Sequence, residues 1–494
     1  MSYTTLKTIH MNETTQLQPQ AVWKYFHEIN QIPRPSKKES KMIAYLMETG
    51  AKLGVETLKD AAGNVLMRKP ATPGLENVPP IIFQAHMDMV CEKNSDVDFN
   101  FETDAIQTYI DGEWLKAKGT TLGADDGIGV AMALAILESK DIAHGPVECL
   151  FTVDEETGLT GAYALEKDFL KGKILLNLDS EDEGQFFIGC AGGKNTEIRI
   201  DFEEEDVPKN SKAFRVMVKG LQGGHSGDDI NKKRGNAIKL LTRILHEATF
   251  AYDAELAHID GGNLHNAIAR EASAVLVMQS HLEEDFTNFI RSFEKTVRQE
   301  LKNSDAGVQV EISPAELPKK VMDNYTQCDL VEALYACPHG VLAMDQDIEG
   351  FVETSTNLAS IKMEGKQITI VTSQRSSLES KKDDAANMVA SAFELMGADI
   401  TFGDGYPGWS PNADSKVLKL MKQAYQNLFK KDPQVLVIHA GLECGLIGEK
   451  YPEMDMISYG PTLRGVHSPD EKLLIHTVKE VWDLTLEFIR LLNA

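Results

Sequence analysis

The sequence lacks the features of secreted disulfide-rich proteins and of proteins that span a membrane. Its six cysteines are scattered over 494 residues without a Cys-x-x-Cys pair, which argues against a disulfide framework and against a thiolate zinc site. No run approaches the roughly 18 apolar residues of a membrane-spanning helix, and the first residues contain no apolar signal-peptide region. We therefore expect a cytoplasmic protein with reduced thiols.

Positive charge is also scarce. The chain has 50 Lys and Arg against 75 Asp and Glu, a formal net charge of -25. This charge repels phosphate backbones and anionic membrane surfaces, so we expect neither nucleic acid nor a membrane as a partner. Runs such as Glu203-Glu204-Glu205-Asp206 are typical of a solvated surface. Only carboxylates at the ends of structured strands are therefore candidates for function.

The length favours more than one domain, because single cores split beyond about 300 residues. Residues 1–192 alternate helical patterns with short apolar runs, which is typical of an α/β domain with a largely buried sheet. Residues 193–400 change to alternating strands and long amphipathic helices, which predicts an inserted α+β lid domain. Residues 401–494 return to the first pattern. The predicted fold class is therefore α/β, with a mixed-sheet catalytic domain in two segments around the insertion.

The insertion contains a weak internal echo. Asn266–Ala269 and Asn357–Ile361 each open an apolar run that resembles a strand. Short apolar patterns of this kind also recur by chance. The sequence therefore leaves open whether the insertion consists of two related halves.

Four apolar runs lead into acids or a histidine. They are Ile81–Ala85 before His86, Val147–Val153 before Asp154-Glu155-Glu156, Ile174–Leu178 before Asp179, and Met456–Tyr459 before the loop that carries His467. In open α/β sheets, ligands bind beyond the carboxyl ends of the strands. These polar side chains are therefore candidates for one common site.

Imidazole and carboxylate ligands are the ones that this sequence offers to zinc. The strand period of two puts His86 and Asp88 on one face, so Asp88 can orient one ring nitrogen while the other binds metal. Asp125 precedes a helix of small residues, where an N-cap role for Asp125 or Asp126 is the alternative to a metal ligand. A lone histidine is more often a hydrogen-bonded surface or core residue, and the chain has 13.

Five motifs taken in order are far more specific than any single histidine or acid. They are His86-x-Asp88, Gly123-Ala124-Asp125-Asp126-Gly127, Asp154-Glu155-Glu156-Thr157-Gly158, Asn177-Leu178-Asp179-Ser180-Glu181 and His467-Ser468-Pro469-Asp470-Glu471. This series closely resembles the co-catalytic zinc aminopeptidase and aminoacylase superfamily. With Gly223–Gly227, His439–Gly445 and Gly460-Pro461-Thr462, nearly the whole chain resembles the cytosolic aminoacyl-histidine dipeptidases of that superfamily.

The resemblance implies a zinc-peptidase catalytic domain that holds two Zn²⁺ per subunit, for which Mn²⁺ or Co²⁺ can substitute. The implied ligands, named here the ligand cluster, are His86 and Asp179 on one metal, Glu156 and His467 on the other, and Asp125 as the bridge. Glu155 is then the general base and Asp88 the residue that orients the first ligand. The resemblance also implies a cis peptide bond after the bridging residue.

Three further residues are candidates for binding substrate. His225 lies among glycines and resembles the histidine that such enzymes place over the active site to stabilise an oxyanion; a turn histidine is the alternative. Arg375 follows an apolar strand and could bind a substrate carboxylate through its planar fork, with a surface ion pair as the alternative. Glu443 offers a partner for a free α-amino group. Whether His225 acts in its own subunit or in that of a partner is left open.

The predicted function is metal-dependent hydrolysis of dipeptides, aminoacyl-histidine or broader in specificity, by a water that two metals activate. An N-acyl or N-carbamoyl amino acid amidohydrolase on the same scaffold is the alternative, but it needs no partner for a free amino group. A non-catalytic binding protein is a third hypothesis, and it should lack the base or a ligand. The native metal, the preferred dipeptides and the formation of a homodimer are left open.

Overall fold

The computed structural model describes residues 16–346, 348, 350–412 and 414–494. The chain divides into two compact units. Unit 1 runs to Gly189 and continues with Pro411–Val437 and Leu442–Ala494, whereas unit 2 comprises Cys190–Ser410 and Ile438–Gly441. Unit 1 is therefore discontinuous in sequence. The lid role of residues 193–400 remains a prediction, because compactness alone does not assign a role.

The described helices and strands follow one another along both units. The α-helices are α1 (Gln20–Ile29), α2 (Ser40–Leu53), α3 (Ala124–Glu138), α4 (Glu155–Gly158), α5 (Thr160–Ala164), α6 (Ala237–Tyr252), α7 (Glu283–Glu300), α8 (Asn324–Ala336), α9 (Glu379–Glu394), α10 (Lys416–Phe429), α11 (Glu443–Lys450) and α12 (Ile475–Leu492). The strands are β1 (Glu56–Lys59), β2 (Val65–Lys69), β3 (Ile81–His86), β4 (Thr108–Asp111), β5 (Trp114–Ala117), β6 (Val147–Thr152), β7 (Ile174–Asn177), β8 (Gln185–Cys190), β9 (Gly192–Asp201), β10 (Glu204–Asp206), β11 (Ser211–Lys219), β12 (Glu255–Gly261), β13 (Ala272–Gln279), β14 (Gln309–Ala315), β15 (Lys320–Met322), β16 (Gly340–Met344), β17 (Val352–Glu364), β18 (Gln367–Ser376), β19 (Asp399–Phe402), β20 (Gln434–Ile438), β21 (Asp455–Ser458), β22 (Leu463–Arg464) and β23 (Lys472–Leu474). A short 3-10 helix covers Ser280–Leu282.

Unit 1 is built on an eight-stranded mixed sheet in the order β1-β2-β6-β3-β7-β21-β8-β20. The central strand β3 pairs in parallel with β6 and β7, and β7 pairs in parallel with β21. The pairs β1–β2, β2–β6 and β8–β21 are antiparallel. The carboxyl ends of the parallel strands therefore lie along one edge of the sheet. This sheet confirms the predicted mixed α/β class.

Helix α3 fits the buried position that its sequence predicts. All eight residues of Val130–Leu137 are buried and apolar. A helix that is hydrophobic all round belongs in a core, since an amphipathic helix would leave one face to solvent. The alanines and Gly129 let α3 pack closely, and α3 contacts β3 directly. The entrance of α3 is thereby fixed near the end of β3.

Unit 2 contains a sheet in which β14-β11-β13-β12-β17-β18-β9-β19 are neighbours and β16 also pairs with β17. Helix α7 shows how this unit forms its core. Its buried residues Phe286, Ile290, Phe293 and Val297 recur at helical spacing, the partly buried Phe289 packs against the same core, and the other residues of the helix are polar. This amphipathic face joins the core cluster formed with β11, β13 and β18.

The two similar segments of the insertion, Asn266–Ala269 and Asn357–Ile361, have different backbone structures. Asn357–Ile361 lies inside β17, whereas Asn266–Ala269 lies outside the strands, and β13 begins only at Ala272. The strand predicted at Asn266–Ala269 is wrong because its backbone pairs with the turn around His225 instead of with a neighbouring strand. The Ser226 amide donates to the Asn266 carbonyl at 2.8 Å. The relation between two halves of the insertion stays a prediction.

Among the described residues, no helix is both long enough and apolar enough to cross a membrane.

Candidate metal centre

All five members of the ligand cluster lie in unit 1, at the end of a strand, in a loop or in the first turn of a helix. They are His86 as the last residue of β3, Asp125 at the entrance of α3, Glu156 in α4 after β6, Asp179 just after β7, and His467 between β22 and β23. His86, Glu156, Asp179 and His467 thus lie at or after the ends of the four strands that the apolar runs predicted, and Asp125 lies at the predicted helix entrance.

The first group joins His86, Asp125 and Asp179. The Nε2 atom of His86 is 3.0 Å from Asp125 Oδ1 and 3.3 Å from Asp179 Oδ1. One ligand atom from each of the three lies within 4.8 Å of the others. His86 is almost fully buried, with 1% of its side chain exposed. The three atoms therefore face one small volume beyond the end of β3.

The second group joins Asp125, Glu156 and His467. The Nε2 atom of His467 is 3.0 Å from Glu156 Oε2 and 3.3 Å from Asp125 Oδ2. Asp125 thus belongs to both groups and directs one carboxylate oxygen to each histidine. A shared carboxylate between two sets of ligands is the arrangement that a two-metal site needs. The assignment of these residues as metal ligands remains a prediction.

The electrostatics of the cluster favour occupation by cations. Burial, together with the nearby carboxylates of Asp125 and Glu156, raises the pKa of Asp179 to about 7 despite the opposing effect of His86. Hydrogen bonds to Asp125 and Glu156 raise the pKa of His467 to about 11. The Oε1 atom of Glu156 is buried without a hydrogen-bond partner. Imidazoles and carboxylates in this arrangement fit Zn²⁺, Mn²⁺ or Co²⁺.

The backbone around Asp125 separates the roles of two adjacent acids. Asp126 Oδ1 accepts a hydrogen bond from the Gly129 amide at 3.1 Å, which is a local structural role at the start of α3. Asp125 instead has non-helical φ and ψ of -80° and 112°, and its side chain faces the histidines. The N-cap alternative therefore does not apply to Asp125. The peptide bond between the two acids is cis, which confirms the implied geometry.

A turn after β6 presents Glu155 and Glu156 together. The strand ends at Thr152, Asp154 has a φ of +51°, and Glu155 begins α4. The sequence predicted this interruption, because a regular strand would point the two glutamates to opposite faces. Burial raises the pKa of Glu155 well above its usual range, and Asp179 and Glu443 add to this effect against the opposing charge of His86.

Asp88 contacts both this turn and the first histidine. Its Oδ1 and Oδ2 accept hydrogen bonds from the amides of Glu155 at 3.1 Å and Glu156 at 3.3 Å. Oδ2 also accepts a hydrogen bond from the Ser36 hydroxyl at 2.7 Å. Asp88 Oδ1 lies 3.4 Å from His86 Nδ1, which is an ion-pair distance, although that nitrogen lacks a well-formed hydrogen bond. Asp88 therefore positions the two glutamates as well as facing the histidine, and only the second role was predicted.

A second acidic group, Glu39, Asp88 and Asp154, lies next to the turn, and all three residues are buried. Its oxygens accept hydrogen bonds from the protein itself. Glu39 Oε1 accepts from the amides of Lys37 and Asp154, and Asp154 accepts from the hydroxyls of Thr157 and Thr160 at 2.5 Å. Asp154 adopts a left-handed backbone conformation, which is uncommon for residues other than glycine. The hydrogen bonds to Glu39, Thr157 and Thr160 hold the turn in this conformation. Glu39 lies outside all the motifs of the sequence, so no pattern marked it as part of this group.

Arg34 is a buried residue of the site that the sequence analysis did not identify. It is 1% exposed, and its guanidinium donates to the carbonyls of Met87 at 3.2 Å, Asp88 at 2.6 Å and Gly123 at 2.5 Å. A Cβ at Gly123 would lie 2.5 Å from Arg34 Nη2, so only glycine leaves room for the guanidinium. Arg34 therefore ties the segment after β3 to the turn before Asp125.

Glu471 binds the same turn through its amides. Its carboxylate is 2% exposed and accepts hydrogen bonds from four consecutive amides, Leu122–Asp125, at 2.7, 3.0, 2.8 and 3.3 Å. Glu471 stood in the fifth sequence motif, but no role was predicted for it. Only the fold shows that it reaches a turn almost 350 residues earlier in the chain.

His225 and Arg375 both lie in unit 2. His225 Nδ1 accepts hydrogen bonds from the amides of Gly227 at 3.3 Å and Asp228 at 3.2 Å, and about a third of the side chain is exposed. Arg375 is 6% exposed and donates to Tyr406 Oη at 2.7 Å and to Ser226 Oγ at 3.4 Å. The surface position suggested as an alternative for Arg375 is therefore wrong. The substrate contacts of both residues remain predictions.

Glu443 is the fully buried first residue of α11 in unit 1. Its Oε2 accepts hydrogen bonds from Gln84 Nε2 at 2.6 Å and from Thr152 Oγ1 at 2.8 Å. Its Oε1 is buried without a hydrogen-bond partner. Burial raises the pKa of this carboxyl to about 7, although the nearby His86 and the bond from Thr152 act in the opposite direction. One oxygen of Glu443 is therefore free to accept a further donor.

A family model described as peptidase family M20/M25/M40 matches residues 82–490. Cytosol non-specific dipeptidase of Escherichia coli K12 is 40% identical over 484 residues, which cover 98% of this chain and all of that protein. These matches span every member of the ligand cluster.

Two solved structures are also similar. The crystal structure of aminoacylhistidine dipeptidase from Vibrio alginolyticus has a TM-score of 0.92 and 42% identity, and the match covers 97% of this chain and 98% of that one. Aminopeptidase PepT from Bacillus cereus has a TM-score of 0.57 and 18% identity, over 97% of this chain and all of that one. The PepT likeness concerns the fold alone.

Proposed function

Because the chain belongs to peptidase family M20/M25/M40, we propose that it hydrolyses dipeptides at a two-metal centre held by the ligand cluster. The observation that carries this proposal is the position of Asp125, which directs one oxygen to His86 and the other to His467. Support for dipeptides as substrates comes from the dipeptidase names of the Escherichia coli and Vibrio alginolyticus relatives, which match this chain over nearly its whole length. The chain is a metal-dependent hydrolase.

We assign Zn²⁺ to the centre on the chemistry of the donors, with Mn²⁺ and Co²⁺ as substitutes. His86 and Asp179 would hold one ion, Glu156 and His467 the other, and Asp125 both. When bound, two such ions polarise a carbonyl group and lower the pKa of water. The buried carboxylates that repel one another without cations would be neutralised.

Glu155 is the proposed general base. It follows the carboxyl end of β6, and one ligand atom of Glu155, His86 and Glu156 lies within 4.8 Å of each of the others. The amides of Glu155 and Glu156 are both bound to Asp88, so the turn keeps a base and a ligand side by side. Glu155 would accept a proton from the attacking water and deliver it to the leaving amine.

Arg375 and His225 would contact two further parts of the substrate, its C-terminal carboxylate and its scissile carbonyl. The guanidinium of Arg375 suits a C-terminal carboxylate, because a planar fork binds two oxygens at once. The imidazole of His225 would donate to the oxyanion that develops on the scissile carbonyl. Cytoplasmic location is part of the same proposal, supported by the cytosolic name of the Escherichia coli relative.

A substrate panel tests the proposed function. The purified chain, loaded in turn with Zn²⁺, Mn²⁺ and Co²⁺, is assayed on dipeptides, tripeptides, N-acyl amino acids and N-carbamoyl amino acids. We expect cleavage of dipeptides to dominate, to disappear with a chelator and to return with added metal. Faster cleavage of N-acyl or N-carbamoyl substrates would favour the amidohydrolase instead, and activity that survives complete metal removal would refute the proposal.

Glu443 is proposed to bind the free α-amino group of the dipeptide, and Glu443→Gln tests this role. Gln keeps an oxygen for the donors Gln84 and Thr152 but removes the charge. A charge-assisted hydrogen bond is worth about 1.5 to 3 kcal/mol. We therefore expect kcat/KM for dipeptides to fall about 10- to 100-fold, whereas slow cleavage of N-acylated analogues by the same variant should change little. Equal losses on both substrate classes would contradict the assignment.

A further inference from the structure

We propose that Glu471 is a positioning residue of the metal centre, which fixes where Asp125 lies between His86 and His467. The inference rests on the proposed metal-dependent function. It starts from an unusual arrangement, in which one buried carboxylate accepts hydrogen bonds from four consecutive backbone amides, Leu122–Asp125. The last of these amides belongs to Asp125 itself. Glu471 therefore holds the backbone from which the shared carboxylate projects.

The start of α3 cannot provide this support alone. The φ and ψ angles of Asp125 and Asp126 are not helical, and the N-cap Gly123 has a left-handed φ of +66° without a side-chain cap. Amides at a helix start need acceptors from elsewhere, because the helix supplies none for its first turn. Glu471 supplies these acceptors with a charged group, which binds amides more strongly than a neutral oxygen does. The conformation of the turn thus depends on Glu471.

Glu471 also links this turn to a second ligand. It lies four residues after His467, in the loop between β22 and β23. One short segment therefore carries a ligand and the anchor of the residue shared by both groups. Asp125 Oδ2 and His467 Nε2 are 3.3 Å apart, so a displacement of either segment changes the distance between them.

Arg34 completes the support from the carbonyl side of the same turn. While Glu471 accepts from the Gly123 amide, Arg34 donates to the Gly123 carbonyl and to the carbonyls of Met87 and Asp88. The peptide groups on both sides of Gly123 are thereby held by buried charged groups. Since the Met87–Asp88 segment follows His86 directly, the turn of Asp125 is also fixed relative to that histidine.

The variant Glu471→Gln tests the proposal by metal affinity. Its amide has the same shape but only one oxygen, and its NH₂ group would face backbone N–H groups. Mutation of a residue that holds a metal ligand in place typically weakens metal binding about 10- to 100-fold. Titration of metal-free protein with Zn²⁺ should show this loss, and Co²⁺-loaded protein should show an altered visible absorption spectrum because the coordination geometry changes.

The control is Glu148→Gln in the same unit, because Glu148 is a second buried carboxylate that binds consecutive backbone amides; its Oε1 also accepts a hydrogen bond from Arg68 Nε at 2.7 Å. Glu148 is 3% exposed, and its Oε2 accepts hydrogen bonds from the amides of Lys171 and Gly172, each at 2.8 Å, near the start of β6 and away from the ligand-bearing end. Both variants should lower the melting temperature of the metal-free protein. Only Glu471→Gln should change metal affinity and the Co²⁺ spectrum.

The results distinguish a positioning role of Glu471 from a purely structural one. Weaker metal binding in folded Glu471→Gln, with unchanged binding in Glu148→Gln, supports the positioning role. If Glu471→Gln does not fold, the shorter Glu471→Asp takes its place and should also bind metal more weakly than the unaltered chain. Wild-type affinity and spectrum in a folded Glu471 variant overturn the inference while leaving the proposed function intact. Failure of the proposed function would appear separately, as an unaltered chain that binds no metal or cleaves no dipeptide.

Discussion

Glu155→Gln is expected to lower kcat on dipeptides about 10²- to 10⁴-fold, the usual contribution of a positioned acid-base group, while two metal ions stay bound. Gln preserves the size of the side chain and its capacity for hydrogen bonds, but it cannot accept the proton of the attacking water. The backbone amide of residue 155 keeps its bond to Asp88, so the turn should not change. Steady-state kinetics and elemental analysis of the same preparation measure the two effects.

Glu156, the next residue in the chain, supplies the control for the Glu155→Gln experiment. Glu155 and Glu156 are adjacent, both amides bind Asp88, and both side chains lie near His86. A general disturbance of the turn would therefore affect metal content in either variant. Loss of a metal ion from Glu155→Gln would reverse the proposed roles of the two glutamates.

Glu156→Gln is expected to lose metal and, with it, activity. Glu156 Oε2 lies 3.0 Å from His467 Nε2, and its other oxygen is buried without a partner, so both features suit a ligand. A neutral amide is a poorer ligand than a carboxylate. Mutation of a residue that merely supports a metal ligand typically weakens metal binding roughly 10- to 100-fold. We expect the affinity for the second ion to fall by more than this in Glu156→Gln. Titration of metal-free protein with Zn²⁺ measures this loss.

Recovery by metal distinguishes the two glutamate variants. Excess Zn²⁺ or Mn²⁺ should restore part of the activity of Glu156→Gln, because mass action refills a weakened site. The same addition should leave Glu155→Gln inactive, since its sites are already full. Full metal occupancy in Glu156→Gln at stoichiometric Zn²⁺ would contradict its role as a ligand.

The elements that carry the ligand cluster could be predicted because their signals are local. The four apolar runs correspond to β3, β6, β7 and β21 to within one residue at each end. A buried strand is a contiguous run of apolar residues, and the acid or histidine that follows marks its end. The parallel pairing of β3 with β6 and β7 then brings those ends together.

The supporting residues could not be predicted, because their partners lie far away in sequence. Arg34 binds a carbonyl 89 positions later, and Glu471 binds an amide 349 positions earlier. Arginine and glutamate are usually exposed, and no periodicity shows which of them is buried against unpaired peptide groups. The Asn266–Ala269 segment was mispredicted for a related reason, since its pairing with the turn around His225 is a tertiary contact.

The strand order of unit 1 has a consequence for how the enzyme is made. Strand β21 lies between β7 and β8, although those two strands are close neighbours in the chain and β21 is encoded near its end. During translation, the nascent N-terminal half emerges from the ribosome with an unfilled place in its central sheet. It also lacks His467, which follows β21. Pairings of such high contact order form slowly. The sheet of unit 1 can be completed only after β21 has left the ribosome, and a chain that stops before β21 leaves the place between β7 and β8 unfilled.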